Sequence, residues 1–178
     1  ATSTTSLYNK LFILYRSVKS NPTSIELWQL LIDLVLLEQS QIQSDTIIEI
    51  FETALINLLT NHKIWIQFFK YLLLTSSDGD DGEYHINKVT YIRRMFNNCL
   101  KSIPLVDHIL IWPLYLQFAD TIGGITAVKI YLKYKQFLPL PILQGKENVN
   151  KQRNYGMNLH EIIDKLRKFG DVENVMKF

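Results

Sequence analysis

The side chains able to act as acids, bases, nucleophiles or metal ligands are few, and their spacing argues against joint chemistry. His62, His85, His108 and His160 show neither the HxxxH nor the HExxH spacing that sets two imidazoles on one helical face around zinc. Solvated or capping imidazoles are therefore expected, and no metal. Asp78, Asp80 and Asp81 invite a calcium reading. An EF-hand needs glycine at the sixth loop position and a carboxylate at the twelfth, whereas Gly82 falls at the fifth and Val89 at the twelfth. The acidic run is read as solvated linker. Cys99 stands alone, so no internal disulfide and no cysteine cage can form; a reducing compartment is the easier setting. No P-loop, G-x-S-x-G or dinucleotide fingerprint occurs. With no acid, base and nucleophile converging by spacing, neither an enzyme nor a cofactor is expected.

Cations offer a different chemistry. Lys129 and Lys133 lie four apart on one expected helix, and Lys165, Arg167 and Lys168 cluster further on, so these five are the candidates for phosphate or partner contact. The plainer alternative is a solvated charged face. Arg93 and Arg94 are read as bracing a turn. The formal charge of +2 lacks the strong basic bias of a dedicated nucleic-acid binder, although a neutral protein can still hold a local basic face. Trp28, Trp65 and Trp112 could stack on bases; their positions favour core packing.

Those positions recur. An apolar residue, a small one three on, an apolar one four on and a stop eight on describe Leu14, Ser17, Val18, Pro22. They also describe Phe51, Ala54, Leu55, with Leu59 replacing proline, and Phe96, Cys99, Leu100, Pro104. Tyr131, Tyr134, Lys135, Pro139 is a degraded fourth copy. The starts are 37, 45 and 35 residues apart, the period of helical hairpin arrays. Before or after each copy runs an aromatic or apolar stripe: Trp28, Leu31, Leu34; Trp65, Phe68, Tyr71; Trp112, Tyr115, Phe118. Spacing by three is close enough to the helical turn to form one face. The fold class that follows is all-α, an α-solenoid of antiparallel helix pairs. One hairpin cannot cover aromatics on both its sides, and each large side chain withdrawn from water contributes about 1.5–3 kcal/mol. Neighbouring hairpins must supply the cover.

Taken in order, helices are expected at about 7–19, 25–39, 46–59, 62–74, 87–101, 106–121, 125–137, 157–169 and 172–178. Thr23 or Ser24 caps the second and Asp45 the third. Pro113 is tolerated in the first turns of its helix, and Gly123-Gly124 turns the chain. Residues 75–84 form an exposed, flexible acidic loop and 140–155 a longer polar connection. No apolar run is long enough to span a membrane. The chain opens inside a second-type helix and ends on a helical pattern without a stop, so it reads as a single segment of a longer array.

The pattern Trp-x-x-aromatic-x-x-aromatic, followed by a helix with a small residue and a terminal proline, resembles the half-a-TPR, or HAT, repeat. It is carried by Trp65-Phe68-Tyr71, by Trp112-Tyr115-Phe118 and by the helices around Ala54 and Cys99. Within that group, Ile92-Arg93-Arg94-Met95-Phe96-Asn97-Asn98-Cys99-Leu100 with Pro104, followed by Ile111-Trp112-Pro113-Leu114-Tyr115-Leu116 and Phe118, is similar to the Syf-type (XPA-binding-protein type) pre-mRNA-splicing factors of the spliceosomal Nineteen complex. The close similarity covers about Ile92 to Pro139; the looser repeat covers nearly the whole chain. The resemblance implies a nuclear, non-catalytic arch that holds other splicing proteins, a second HAT protein among them. It leaves room for contact with snRNA or pre-mRNA through basic helix faces, and for a HAT scaffold in rRNA processing or mRNA 3′-end formation. Leu31 and Leu34 replace the usual aromatics, and the Asp78 to Glu83 insert lies outside the repeat.

Overall fold

Proline, serine and asparagine set the first boundaries. In the computed structural model, which describes residues 2–75, 82–137 and 159–169, helix α1 (Thr2–Ser20) stops ahead of Asn21-Pro22. Helix α2 (Ile25–Leu37) starts after Ser24, whose backbone is extended and whose hydroxyl accepts from the Leu27 N–H at 3.3 Å. This satisfies one of the donors that a helix start leaves open. After a 3-10 turn at Gln39–Gln41 comes α3 (Ser44–Asn57), and α4 (His62–Thr75) follows Asn61. The Asn61 side-chain oxygen accepts from the Lys63 and Ile64 N–H groups at 3.0 and 3.4 Å.

Helix α5 (Gly82–Ser102) leads through the 3-10 turn Leu105–Asp107 into α6 (His108–Ile122). Gly123 and Gly124, at φ of 63° and 57°, then reverse the chain into α7 (Gly124–Phe137). Both sit where a side chain is strained. Helix α8 (Leu159–Lys168) is the last described.

Four expectations are corrected, the first being that α1 begins at Thr2 and not at about Leu7. Helix α5 begins five residues before Asn87, and α4 runs through Thr75, so helix occupies both ends of the expected 75–84 loop. Asp45 is not a cap: α3 starts after Gln43 without a side-chain cap bond, and Asp45 sits inside the first turn, where its charge suits the helix dipole. Pro113 is the sixth residue of α6, in the second turn, within the first turns where it was expected. Lacking an N–H, it leaves the Ile109 carbonyl without its intrahelical partner. The stripe of α2 drifts from Leu34, half-buried, to Ile32 and Val35, both buried, because 3.6 residues per turn outruns a strict count of three. Residues 76–81, Pro139, the 140–155 connection, Met157 and the 172–178 segment lie outside the described residues.

Each helix packs against the next in sequence, and α4 packs on α6 as well. Cross-ties show two layers with like ends together. In the first layer, Gln29 on α2 bonds Gln67 on α4 at 3.0 Å, and His62 opening α4 meets Asp107 just before α6 at 3.1 Å. In the second, Tyr91 on α5 donates to Glu52 on α3 at 2.7 Å, and Lys133 on α7 donates to Asn97 on α5 at 2.6 Å. Like helices therefore run side by side and successive helices run antiparallel, which makes the chain an α-solenoid.

Candidate functional site

Aromatic rings form an unbroken seam through five helices. Phe51 of α3 stacks on Phe68 of α4 at 5.0 Å, and Phe69 stacks on Phe96 of α5 at 3.7 Å. Phe96 then meets Tyr115 of α6 at 4.4 Å, and Trp112 meets Tyr134 of α7 at 5.1 Å. Trp28, Trp65 and Trp112 are only 2%, 2% and 3% exposed. With Tyr115 and Phe118 beside them in the core, the indoles fill this seam and are not a platform for bases. Ala54 and Cys99 are fully buried at the matching small positions. Burial alone pushes the Cys99 thiol far above its ordinary range, which disfavours the reactive thiolate. Pro104 lies exposed at the start of the Leu105–Asp107 turn.

The first two tryptophans do a second job. Trp28 donates its indole N–H to the Pro22 carbonyl and Trp65 to the Leu59 carbonyl, each at 2.8 Å and each six residues back. Trp112 breaks the series: its N–H is buried without a partner among the described residues. The residue six back is Val106, inside the 3-10 turn whose Asp107 is tied to His62.

The five expected contact cations do not form one site. Lys165 is held 2.7 Å from Asp120, which also accepts from Tyr131 at 2.6 Å. Arg167 faces Asp164 at 3.7 Å, one turn back on its own helix, and Lys168 is exposed beside it. Lys129 and Lys133 instead share the outward face of α7, where Lys133 leans onto α5. Desolvation there, and then the nearby Lys101, hold its ammonium below the usual lysine value. Asp120, Asn97 and Lys101 were not foreseen. Asp120 and Lys165 are 45 residues apart and leave no local signal, but the lack of acids in the sequence of α7 was there to be read.

Of the histidines, His62 pairs with Asp107, His108 lies against the Phe137 ring at 5.8 Å and His160 is exposed; the side chain of His85 lies outside the described residues. Among the described residues no three metal-ligating side chains gather, and no helix is long and apolar enough to cross a membrane. Two of the concave surfaces among the described residues border a tryptophan. A groove of about 530 Å³ between α6, α7 and α8 includes Trp112, Leu116, Asp120, Tyr134 and Glu161. Another of about 350 Å³ lies along α1, walled by Tyr8, Phe12, Tyr15 and Ile50.

With this geometry in place, comparison with known proteins is decisive. The model of the pre-mRNA-splicing factor Syf1/CNRKL1 N-terminal HAT repeat matches residues 1–140. The chain belongs to this HAT family. Pre-mRNA-splicing factor SYF1 of Debaryomyces hansenii is 38% identical over 99% of the chain, which covers 20% of that relative. Its namesake in Emericella nidulans is 25% identical over 97% of the chain and 19% of the relative. Pre-mRNA-splicing factor cwf3 of Schizosaccharomyces pombe is 24% identical over 76% of the chain and 17% of the relative. The chain thus spans about a fifth of these curated relatives. HAT repeats account for the double-layered helices.

Proposed function

We propose that this chain is a non-catalytic scaffold segment of a nuclear pre-mRNA-splicing factor, holding other splicing-complex proteins, among them a second HAT protein. Family membership supplies the process. The observation supporting a holding role is the face of α1, where Tyr8, Phe12 and Ile13 are 64%, 62% and 62% exposed beside an apolar groove. Contiguous exposed apolar surface marks interaction sites in soluble proteins. The titratable pairs point the same way: His62–Asp107 and Asp120–Lys165 each tie one helical element to another.

The test is affinity purification of the tagged parent protein from nuclear extract, followed by mass spectrometry. Splicing-complex proteins, with a second HAT protein among them, are expected, and Tyr8→Ser/Phe12→Asp should lower their recovery. Because both positions are exposed, the double variant should keep its stability within about 0.5 kcal/mol. Recovery of rRNA-processing or 3′-end factors in their place would overturn the splicing assignment. Recovery unaffected by the double variant would remove α1 from the argument.

A further inference from the structure

Charge is distributed unevenly over the second layer. Helix α3 contains Asp45, Glu49 and Glu52 and no lysine or arginine. Helix α7 is its opposite, with Lys129, Lys133 and Lys135 and no acid. From Asn87 onward α5 has Lys88, Arg93, Arg94 and Lys101, again with no acid. The two carboxylates between Asn87 and Phe137 are engaged elsewhere, Asp107 with His62 and Asp120 with Tyr131 and Lys165.

The outward stripes of α5 and α7 meet. Arg94, Asn98 and Lys101 are exposed on one, and Lys129, Lys133 and Gln136 on the other. The 2.6 Å bond from Lys133 to Asn97 sets the two stripes side by side. Lys101 stands close enough to disfavour the charge on Lys133, a repulsion that a bound anion would relieve.

We propose that this α5/α7 strip docks the phosphodiester backbone of a nucleic acid. Lys129 and Lys133 are about 6 Å apart along their helix, and Arg94 and Lys101 about 10 Å along theirs, giving a ladder of cations suited to successive phosphates. An acidic protein segment would gain most of its hold from a buried apolar anchor. The strip lacks a place for one: among the described residues of α5 and α7 from Asn87 on, Ile125 is the sole large apolar side chain that is well exposed, a turn before Lys129. Cations and the amides of Asn98 and Gln136 are the groups that contact phosphate and sugar. No exposed aromatic is present there to stack a base, so recognition is independent of sequence. Lys165, which the sequence grouped with Lys129 and Lys133, takes no part.

Fluorescence anisotropy of the chain with a labelled RNA duplex of arbitrary sequence tests this, with labelled polyglutamate as the protein-like competitor. Log affinity should fall with log salt at a slope of roughly −3 to −4, as four neutralised phosphates require. Lys129→Gln/Lys133→Gln should reduce that slope by about 2 and weaken binding about tenfold at low salt, and Arg94→Gln/Lys101→Gln should do the same from the other helix. Lys165→Gln should leave affinity within about twofold. Absence of duplex binding at low ionic strength would overturn the proposal. So would double variants that bind as the parent does, or polyglutamate that binds more tightly than RNA. Thermal melting checks that the exposed substitutions leave the fold intact. The proposal goes beyond the scaffold reading and fails separately from it, since recovery of splicing proteins by the parent is a different measurement.

Discussion

Trp28 and Trp65 lock the turn before them, and Trp112 does not. All three are buried in one apolar core, and nothing in their spacing signals that the third lacks an acceptor. A buried donor without a partner costs about 1–3 kcal/mol, whereas a satisfied one contributes about 0.5–1.5 kcal/mol. Replacing indole by phenyl should separate the two cases. Trp65→Phe removes packing volume together with the bond to the Leu59 carbonyl; Trp112→Phe removes similar volume together with a liability. Trp112→Phe should therefore be less destabilising than Trp65→Phe by at least about 1 kcal/mol, read from urea midpoints at unchanged m-value. Equal losses would show that Trp112 has found an acceptor in solution. Truncation is another matter. Trp112→Ala should cost about 3–5 kcal/mol, because the seam cannot close over so large a gap.

At the scale of the helix, apolar periodicity placed six of the eight described helices within two residues at each end, while α1 and α5 start five residues earlier than expected. Buried faces repeat every turn, and Phe51, Phe96 and Tyr131 mark corresponding points in α3, α5 and α7. What stayed hidden was how elements are tied to one another, because those bonds join residues tens of positions apart and obey no local rule. Asp120 is the clearest case. It sits near the end of α6, accepts from Tyr131 of α7 and from Lys165 of α8, and so clasps three elements. Helix α8 meets the rest mainly through α7, with Ile162 and Leu166 buried and Phe169 lying 6.0 Å from the Tyr131 ring. Asp120→Ala should loosen α8 by about 1 kcal/mol, the scale of a partly exposed ion pair. Amide exchange in α8 should quicken about fivefold while α2 to α4 keep their protection. Protection lost evenly along the chain would mean that the last helix is not a separable unit.

For the whole molecule, the seam makes stability a relay between neighbours, and the phenols built into it make that relay sensitive to alkali. Burial pushes the Tyr115 hydroxyl up to about 12, against the opposing pull of Arg93 and Asn97. Tyr91 and Tyr131 are raised further, by burial first and then by the carboxylates of Glu52 and Asp120 that accept hydrogen bonds from them. In each case the folded form holds a proton that the unfolded chain releases from about pH 10 upward. The unfolded state then binds fewer protons, so stability is fully present below pH 10 and declines as pH rises toward the folded values. Each phenol removes about 1.4 kcal/mol per pH unit in that window, and three together about 4 kcal/mol. Against a typical total of about 5–15 kcal/mol, the helices should be lost cooperatively within a few pH units above 10. The far-UV signal and the absorbance of these three phenolates should change together. Tyr91→Phe should make the decline shallower by up to about a third, since one of the three most raised phenols is gone while Tyr71, also raised by burial, keeps its smaller share. Buried phenolates that appear while the helical signal stays intact would mean that the seam admits water without unfolding, which stacked rings only 3.7 to 5.0 Å apart between α3 and α6 leave little room to do.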